Sequence, residues 1–426
     1  MKKLILILVC IGLLSLPLNA LADTSAEKQA AIDKGLAYLA STQLTSGPYA
    51  GGWNYDGYPA ADTAAALLAF VEQSYKPLGW NGKNYSAVVT NATNYLLSAA
   101  STLSFNGGNW WGFGANSSGI QWAQNNEDTY ITGLAIPALS RLVSNPSGSP
   151  ILSPSAVISS TNAVVNGLTY AQVIQAAVNS FTYYQSNPST GNRYGGWRYF
   201  SGSQDSDMST TQWPVISYLF ASTVPGVTIP APGSITRTAL QAWLGVVQNP
   251  VTGGVDYQPG AGIVNSTHAG GFLLSNYFAG GGGNAALALQ WLNGDWKTAP
   301  NGTWFGNEGN PYAMWAVYKA LETLYGTNGA GPITNLRPEP SGDSLDPGAV
   351  WNWWEDYCQF LDSTQNPDGS WNGYGYWGGP LEAAWYINIL NATTTGGEVV
   401  PEPATMILLG VGLVGLAGYA RKRMKK

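Results

Sequence analysis

Charge is what this 426-residue chain has least of. Only 10% of its residues are charged, and it has two cysteines and one histidine. Each scarcity excludes something. Of the 18 basic and 24 acidic residues, seven basic and one acidic fall in the terminal segments, leaving the body with a net charge near −12. Nucleic-acid binding needs clustered Lys and Arg, so that partner class is excluded. Cys10 lies in the leader described below, so Cys358 stands alone in the body and no internal disulfide can form. His268 and Cys358 are nearly 90 residues apart. That separation argues against a zinc site, and no metal or cofactor is expected. Cys358 reads as a core thiol and His268 as a helix-start residue.

Glycine and tryptophan are abundant instead, at 53 and 18 residues, and they occur side by side. With 45% hydrophobic residues the chain can bury a large core. Glycine set beside aromatics points to a repeat rather than to disorder.

Both ends carry address-like patterns. Lys2 and Lys3 precede an apolar stretch, residues 4–16, and Ala20-Leu21-Ala22 offers a small-x-small cleavage site. Residues 1–22 are therefore expected to be a signal peptide. At the other end Pro401-Glu402-Pro403 is followed by the apolar run 404–420 and then by Arg421 and further basic residues. A run of 17 residues can just span a bilayer, with its basic end held in the cytoplasm.

Between these ends, residues 23–392 read as one repeat domain and 393–426 as a linker with the sorting segment. Helical periodicity followed by a glycine-rich hairpin and a second apolar helix recurs six times. The first helices are expected near 26–43, 88–97, 171–185, 239–248, 285–292 and 350–365. The second helices are expected to open at Asp62, Asp128, Asp207, Ser266, Asn310 and Pro380. Those are residue types that satisfy a helix N-terminus, so capping explains the recurrent acids before any chemistry is invoked. The hairpins include Gly51-Gly52-Trp53, a glycine-rich stretch holding Trp110 and Trp111, Gly195-Gly196-Trp197 and Gly369-Ser370-Trp371.

The C-terminal pattern resembles the PEP-CTERM sorting signal of Gram-negative bacteria. That resemblance implies an exosortase-type processing partner, anchoring in the inner membrane before processing, and release to the cell surface or extracellular matrix. The spacing Gln43…Gly52-Trp53, Gln185…Gly196-Trp197 and Gln365…Gly369-Ser370-Trp371 resembles the prenyltransferase and squalene-oxidase repeat of the terpenoid cyclase/protein prenyltransferase superfamily. It implies an all-α fold, an α/α toroid of about six helical hairpins, with the Gly-Trp turns on one rim. The family's chemistry does not carry over. Asp205-Ser206-Asp207-Met208-Ser209 lacks the adjacent Asp pair of the cyclase acid motif, and Ala61-Asp62-Thr63-Ala64 matches only its end.

One rim is expected to gather the carboxylates Asp56, Asp62, Glu127, Asp128, Asp205, Asp207, Asp256, Glu308 and Glu382 beside many aromatics. Rings beside acids suit sugar recognition, and two suitably spaced carboxylates can cleave a glycoside. The weak catalytic candidates are Asp205, Asp207 and Asp128. The ligand-binding candidates are Trp111, Trp197, Tyr199, Trp213 and Trp304. Three functions follow: a surface protein that binds a glycan or apolar small molecule in the exopolysaccharide matrix without catalysis, an exported polysaccharide hydrolase or lyase, and a terpenoid cyclase-like enzyme. The first is favoured, because export and the missing motif count against the third and no acid pair stands out for the second.

Overall fold

A computed structural model describes residues 24–73, 84–105, 117–145, 150–186, 193–301, 304–340 and 345–394, apart from 202, 204, 373, 375 and 376. The expected signal peptide and the apolar run 404–420 lie outside the described residues.

Twelve helices appear among the described residues, in pairs: α1 (Ser25–Thr42) and α2 (Pro59–Gln73), α3 (Ser86–Ser98) and α4 (Asp128–Val143), α5 (Tyr170–Tyr183) and α6 (Met208–Ala221). They continue with α7 (Ile235–Val247) and α8 (Ser266–Ala279), α9 (Ala285–Asp295) and α10 (Pro311–Tyr325), α11 (Trp353–Thr364) and α12 (Gly379–Leu390). The all-α expectation holds in this coarse sense. One departure is a short antiparallel pair, β1 (Ser101–Ser104) with β2 (Ser118–Gln121), where Ser101 faces Gln121 and Ser104 faces Ser118.

The two members of each pair differ in burial. All of α2 and α6 is buried, as is all of α4 except Tyr130 and all of α12 except Gly379. Helices α1, α3, α5, α7 and α9 bury only one stripe, such as Val173, Ile174, Ala177, Val178 and Phe181 of α5. A helix apolar all round belongs inside, and an amphipathic one belongs on the outside with its stripe turned inward. The packing follows suit. Helix α2 packs on α4, α4 on α6, α6 on α8, α8 on α10, α10 on α12, and α12 on α2 again, a closed cycle. The outer helices lie against it, α1 touching both α2 and α12, and α11 touching α1 and α12.

The inner helices run the same way. Near the C-terminal ends of α2 and α4, Arg141 Nε donates to Glu72 Oε1 at 2.6 Å. Gly133 of α4 leaves room for the side chain of Trp213, where a Cβ would collide. Pro137, four residues on, has no N–H for the Gly133 carbonyl, and Ser217 Oγ of α6 donates to that oxygen instead at 3.2 Å.

The repeat's glutamine and tryptophan have a common task. Trp53 Nε1 donates to the Leu39 carbonyl, Trp197 Nε1 to Phe181 and Trp371 Nε1 to Leu361, each tying a hairpin to the end of its own outer helix. Gln43, Gln185, Gln248 and Gln365 each donate to a hairpin carbonyl and also to the start of the next unit: Val88, Thr236, Asn284 and, from the last unit, Ala31 of α1. The final hairpin is thus stitched to the first helix.

The second unit corrects the expected hairpin tryptophan. Trp122 plays that part, its backbone N–H donating to Thr132 Oγ1 and its Nε1 to the Leu96 carbonyl. The β-pair sets it there, while Trp110 and Trp111 lie outside the described residues. Two expected helix starts also shift. Helix α2 opens at Pro59, which places Asp62 inside its first turn, and Asn265 rather than Ser266 caps α8 by accepting from His268 N at 2.9 Å.

Candidate functional site

A cavity of about 520 Å³ lies at the starts of the inner helices, lined by Ala61 of α2, Tyr130, Ile131 and Leu134 of α4, Trp213 of α6, and Leu381 and Trp385 of α12. The hairpins complete it with Asp56, Tyr58, Tyr199, Trp304 and Trp377, and Glu127 stands just before α4. These residues reach the same place because the inner helices run in parallel and every hairpin leads into the start of one.

Tyr199 shows how a hairpin side chain is aimed inward. Its carbonyl accepts from the N–H of Thr129, the second residue of the preceding unit's inner helix, at 2.8 Å. The next hairpin does the same, the Tyr257 carbonyl accepting from Met208 N at 2.9 Å. Each turn therefore caps its neighbour's helix and places an aromatic over that helix start. The Tyr199 and Tyr257 hydroxyls meet at 2.6 Å, and Arg198 Nη1 lies 3.0 Å from the Tyr257 hydroxyl.

The aromatic wall is continuous. Tyr130 stacks on Tyr199 with centroids 5.8 Å apart, and Trp213 stacks on Trp385 at 6.1 Å. Trp377 meets Tyr312 at 4.8 Å and the 46% exposed Trp304 at 6.5 Å. Behind the wall Trp213 Nε1 donates to the Tyr312 hydroxyl at 3.0 Å, and Tyr130 and Ser209 share a hydroxyl contact of 2.8 Å, while the indole N–H groups of Trp377 and Trp385 have no hydrogen-bond partner among the described residues.

Carboxyl groups at this end have raised pKa values. Burial, then the charges of Asp207 and Asp128, push Glu127 up to about 7, with Arg198 pulling the other way. Burial raises Asp56 as well, and takes Asp128 up to about 6. Just behind, Asp62 is pushed up to about 8 by burial and by Asp56, and burial pushes Glu382 up to about 8.

The residues singled out from sequence fall into several groups. Tyr199, Trp213 and Trp304 line the cavity. Trp197 does not, because its ring is fully buried as a wedge behind the hairpin, so it is a structural residue rather than a ligand contact. Trp111 lies outside the described residues.

Asp207 is the α6 cap, accepting from Thr210 N at 2.8 Å and paired with Arg198 Nη1 at 3.1 Å. Asp205 accepts from Gln258 Nε2 at 2.8 Å. Asp128 is the first residue of α4. None of these three lines the cavity, whereas two other rim acids, Asp56 and Glu127, do. Arg198, Tyr130, Tyr257 and Trp385 were not singled out. A repeated Trp-x-Tyr or Val-x-Tyr at 53–55, 197–199 and 255–257 was the available signal for Tyr257.

Among the described residues no group of His, Cys, Asp and Glu is placed to hold a metal ion. His268 is buried, its Nδ1 3.0 Å from the Ile263 carbonyl, and burial lowers its pKa to about 4. Cys358 is buried in the core.

Comparison with known families decides the address. Residues 399–423 match the PEP-CTERM protein-sorting motif. The chain is thereby marked for the cell surface. The matched segment contains Pro401, Glu402, Pro403 and Arg421, and it implies export with C-terminal anchoring before processing. No curated protein matches the chain. Among the described residues no helix is long and apolar enough to cross a membrane, and the apolar run of the PEP-CTERM segment lies beyond them.

Proposed function

We propose that the body is an α/α toroid of the terpenoid cyclase and prenyltransferase kind, displayed at the surface to bind a glycan of the exopolysaccharide matrix without cleaving it. The observation that carries this reading is the cavity, whose wall is mostly aromatic: Trp213, Trp304, Trp377 and Trp385 with Tyr58, Tyr130 and Tyr199. Flat rings suit the apolar faces of sugars, and the tyrosine hydroxyls and two carboxyls suit sugar hydroxyls. The cyclic packing of the inner helices supports the toroid, and an exosortase-type enzyme is the processing partner the PEP-CTERM motif calls for. Tyr199, Trp213 and Trp304 are the sequence candidates retained as ligand contacts, joined by Trp377.

A second reading, glycoside cleavage, rests on Asp56 and Glu127 sharing the cavity with raised carboxyl pKa values, as a general acid requires. Asp128, Asp205 and Asp207 are not needed for it.

The deciding experiment titrates the protein with the host's own exopolysaccharide, following tryptophan fluorescence, viscosity and reducing ends. Binding is expected to change the fluorescence and to weaken roughly tenfold in Trp377→Ala, the loss of one stacking platform. New reducing ends or falling viscosity would replace binding by cleavage. No fluorescence change would remove both.

A further inference from the structure

The ionisable groups of the cavity have an uneven sign. Asp56 and Glu127 line it, and among the described residues no lysine or arginine does. Arg198, whose charge acts on Glu127, is already committed to Asp207 at 3.1 Å and to the Tyr257 hydroxyl at 3.0 Å. An anionic sugar, such as a uronic acid, would meet two carboxyls and no free positive charge. A neutral sugar would cover the half-buried Glu127 and the exposed Asp56 and bring them no counter-charge. A protonated amine satisfies both the acids and the rings, since an ammonium is attracted to the faces of Trp and Tyr.

We propose that the cavity selects a cationic, amine-bearing sugar unit, its ammonium held between Glu127, Asp56 and the rings of Tyr130, Trp213 and Trp377. This deepens the glycan-binding reading and rests on it for the sugar part alone. The groups facing Glu127 are Asp128 on α4, Asp207 at the start of α6, Arg198 and Tyr199 from the third hairpin, and Tyr58 from the first. Acids outnumber the one arginine in that set. The raised pKa of Glu127 follows from partial burial beside Asp207 and Asp128, which Arg198 offsets only in part, and an arriving cation relieves it. Binding must therefore displace a proton, and affinity for a permanently charged ligand must rise as pH climbs through about 7.

The full chain, purified in detergent, is titrated calorimetrically with four probes: a glucosamine tetrasaccharide, cellotetraose, choline, and the uncharged choline isostere 3,3-dimethylbutanol. The expected result is a preference of roughly tenfold or more for the amine-bearing member of each pair, shrinking severalfold in Glu127→Gln. In the unaltered protein, choline affinity is expected to increase from pH 6 to 8 with proton release. That second measurement needs no variant, so it stands if Glu127→Gln fails to fold. Equal binding of the two tetrasaccharides and of choline and its isostere would overturn the amine inference and leave glycan binding intact. Choline binding without either tetrasaccharide would uphold the cation site and overturn the glycan reading. Binding of none of the four would overturn the amine inference too.

Discussion

Single residues decide the electrostatics of the cavity end. Asp62 is wholly buried, with one carboxylate oxygen accepting from Tyr55 N at 2.8 Å and the other unpartnered. Its folded pKa, about 8, lies above the unfolded value, and the same holds for Glu382. The folded state therefore binds more protons than the unfolded state between the two values. Stability from these groups is full below the unfolded pKa, near 4, and is lost as pH rises through about 8. The melting temperature should accordingly fall between pH 5 and pH 8, and Asp62→Asn should flatten that slope in a calorimetric pH series. Asp207 behaves differently, being a cap as well as the partner of Arg198. Asp207→Ala should cost about 1–2 kcal/mol for the cap alone, read from the denaturant midpoint, with Asp207→Asn losing less. The sequence revealed Asp207 as a cap, because Asp before an apolar helix is a local signal. It did not reveal Arg198 or Tyr257 as its companions, since those contacts arise between neighbouring hairpins.

At the level of the element, the hairpin is the unit that joins one helix pair to the next. Gly369 has a φ of +90°, and a Cβ there would run into the Lys34 carbonyl of α1. Gly369→Ala should therefore destabilise by more than about 1 kcal/mol, from backbone strain and from pushing α1 away. Trp371→Ala, which removes the neighbouring wedge, should cost about 3–5 kcal/mol. Both are measured by chemical unfolding. If the two changes left stability untouched, the last hairpin would not be what fastens the chain's end to its beginning. The Gln…Gly-Trp spacing was legible because each contact within a hairpin is local. In the second unit it misled, because a β-pair moved the wedge from the glycine-rich stretch to Trp122.

For the molecule as a whole, the end of the inner helices opposite the cavity is closed by charge. Glu72, Arg141, Lys319 and Glu322 are buried together, about 16 Å along α2 from the cavity-lining Ala61. Lys319 Nζ and the Tyr318 hydroxyl donate to the Thr393 carbonyl at 2.7 and 3.0 Å, and Arg141 donates to that of Thr394. The chain leaving α12 thus lies over this charged end, and the cations offset the negative ends of the parallel helices. Truncation after Leu390 should lower the melting temperature, because it leaves Lys319 and Arg141 short of acceptors. Truncation after Gly396, where the compact body ends, should not. Differential scanning calorimetry of the two truncated chains compares them directly.

What the sequence determined by itself was the local and the periodic: helices in pairs, caps, wedges, and the address carried in the PEP-CTERM segment. Each of these is set by neighbours within a few turns of chain, or by composition. The tertiary structure decided which of nine rim acids meet a ligand-sized space. Asp56 and Glu127 reach it and Asp205, Asp207 and Asp128 do not, because inward direction depends on how far each hairpin reaches over its neighbour's helix. That reach is a property of the closed cycle of packing, which no stretch of sequence contains.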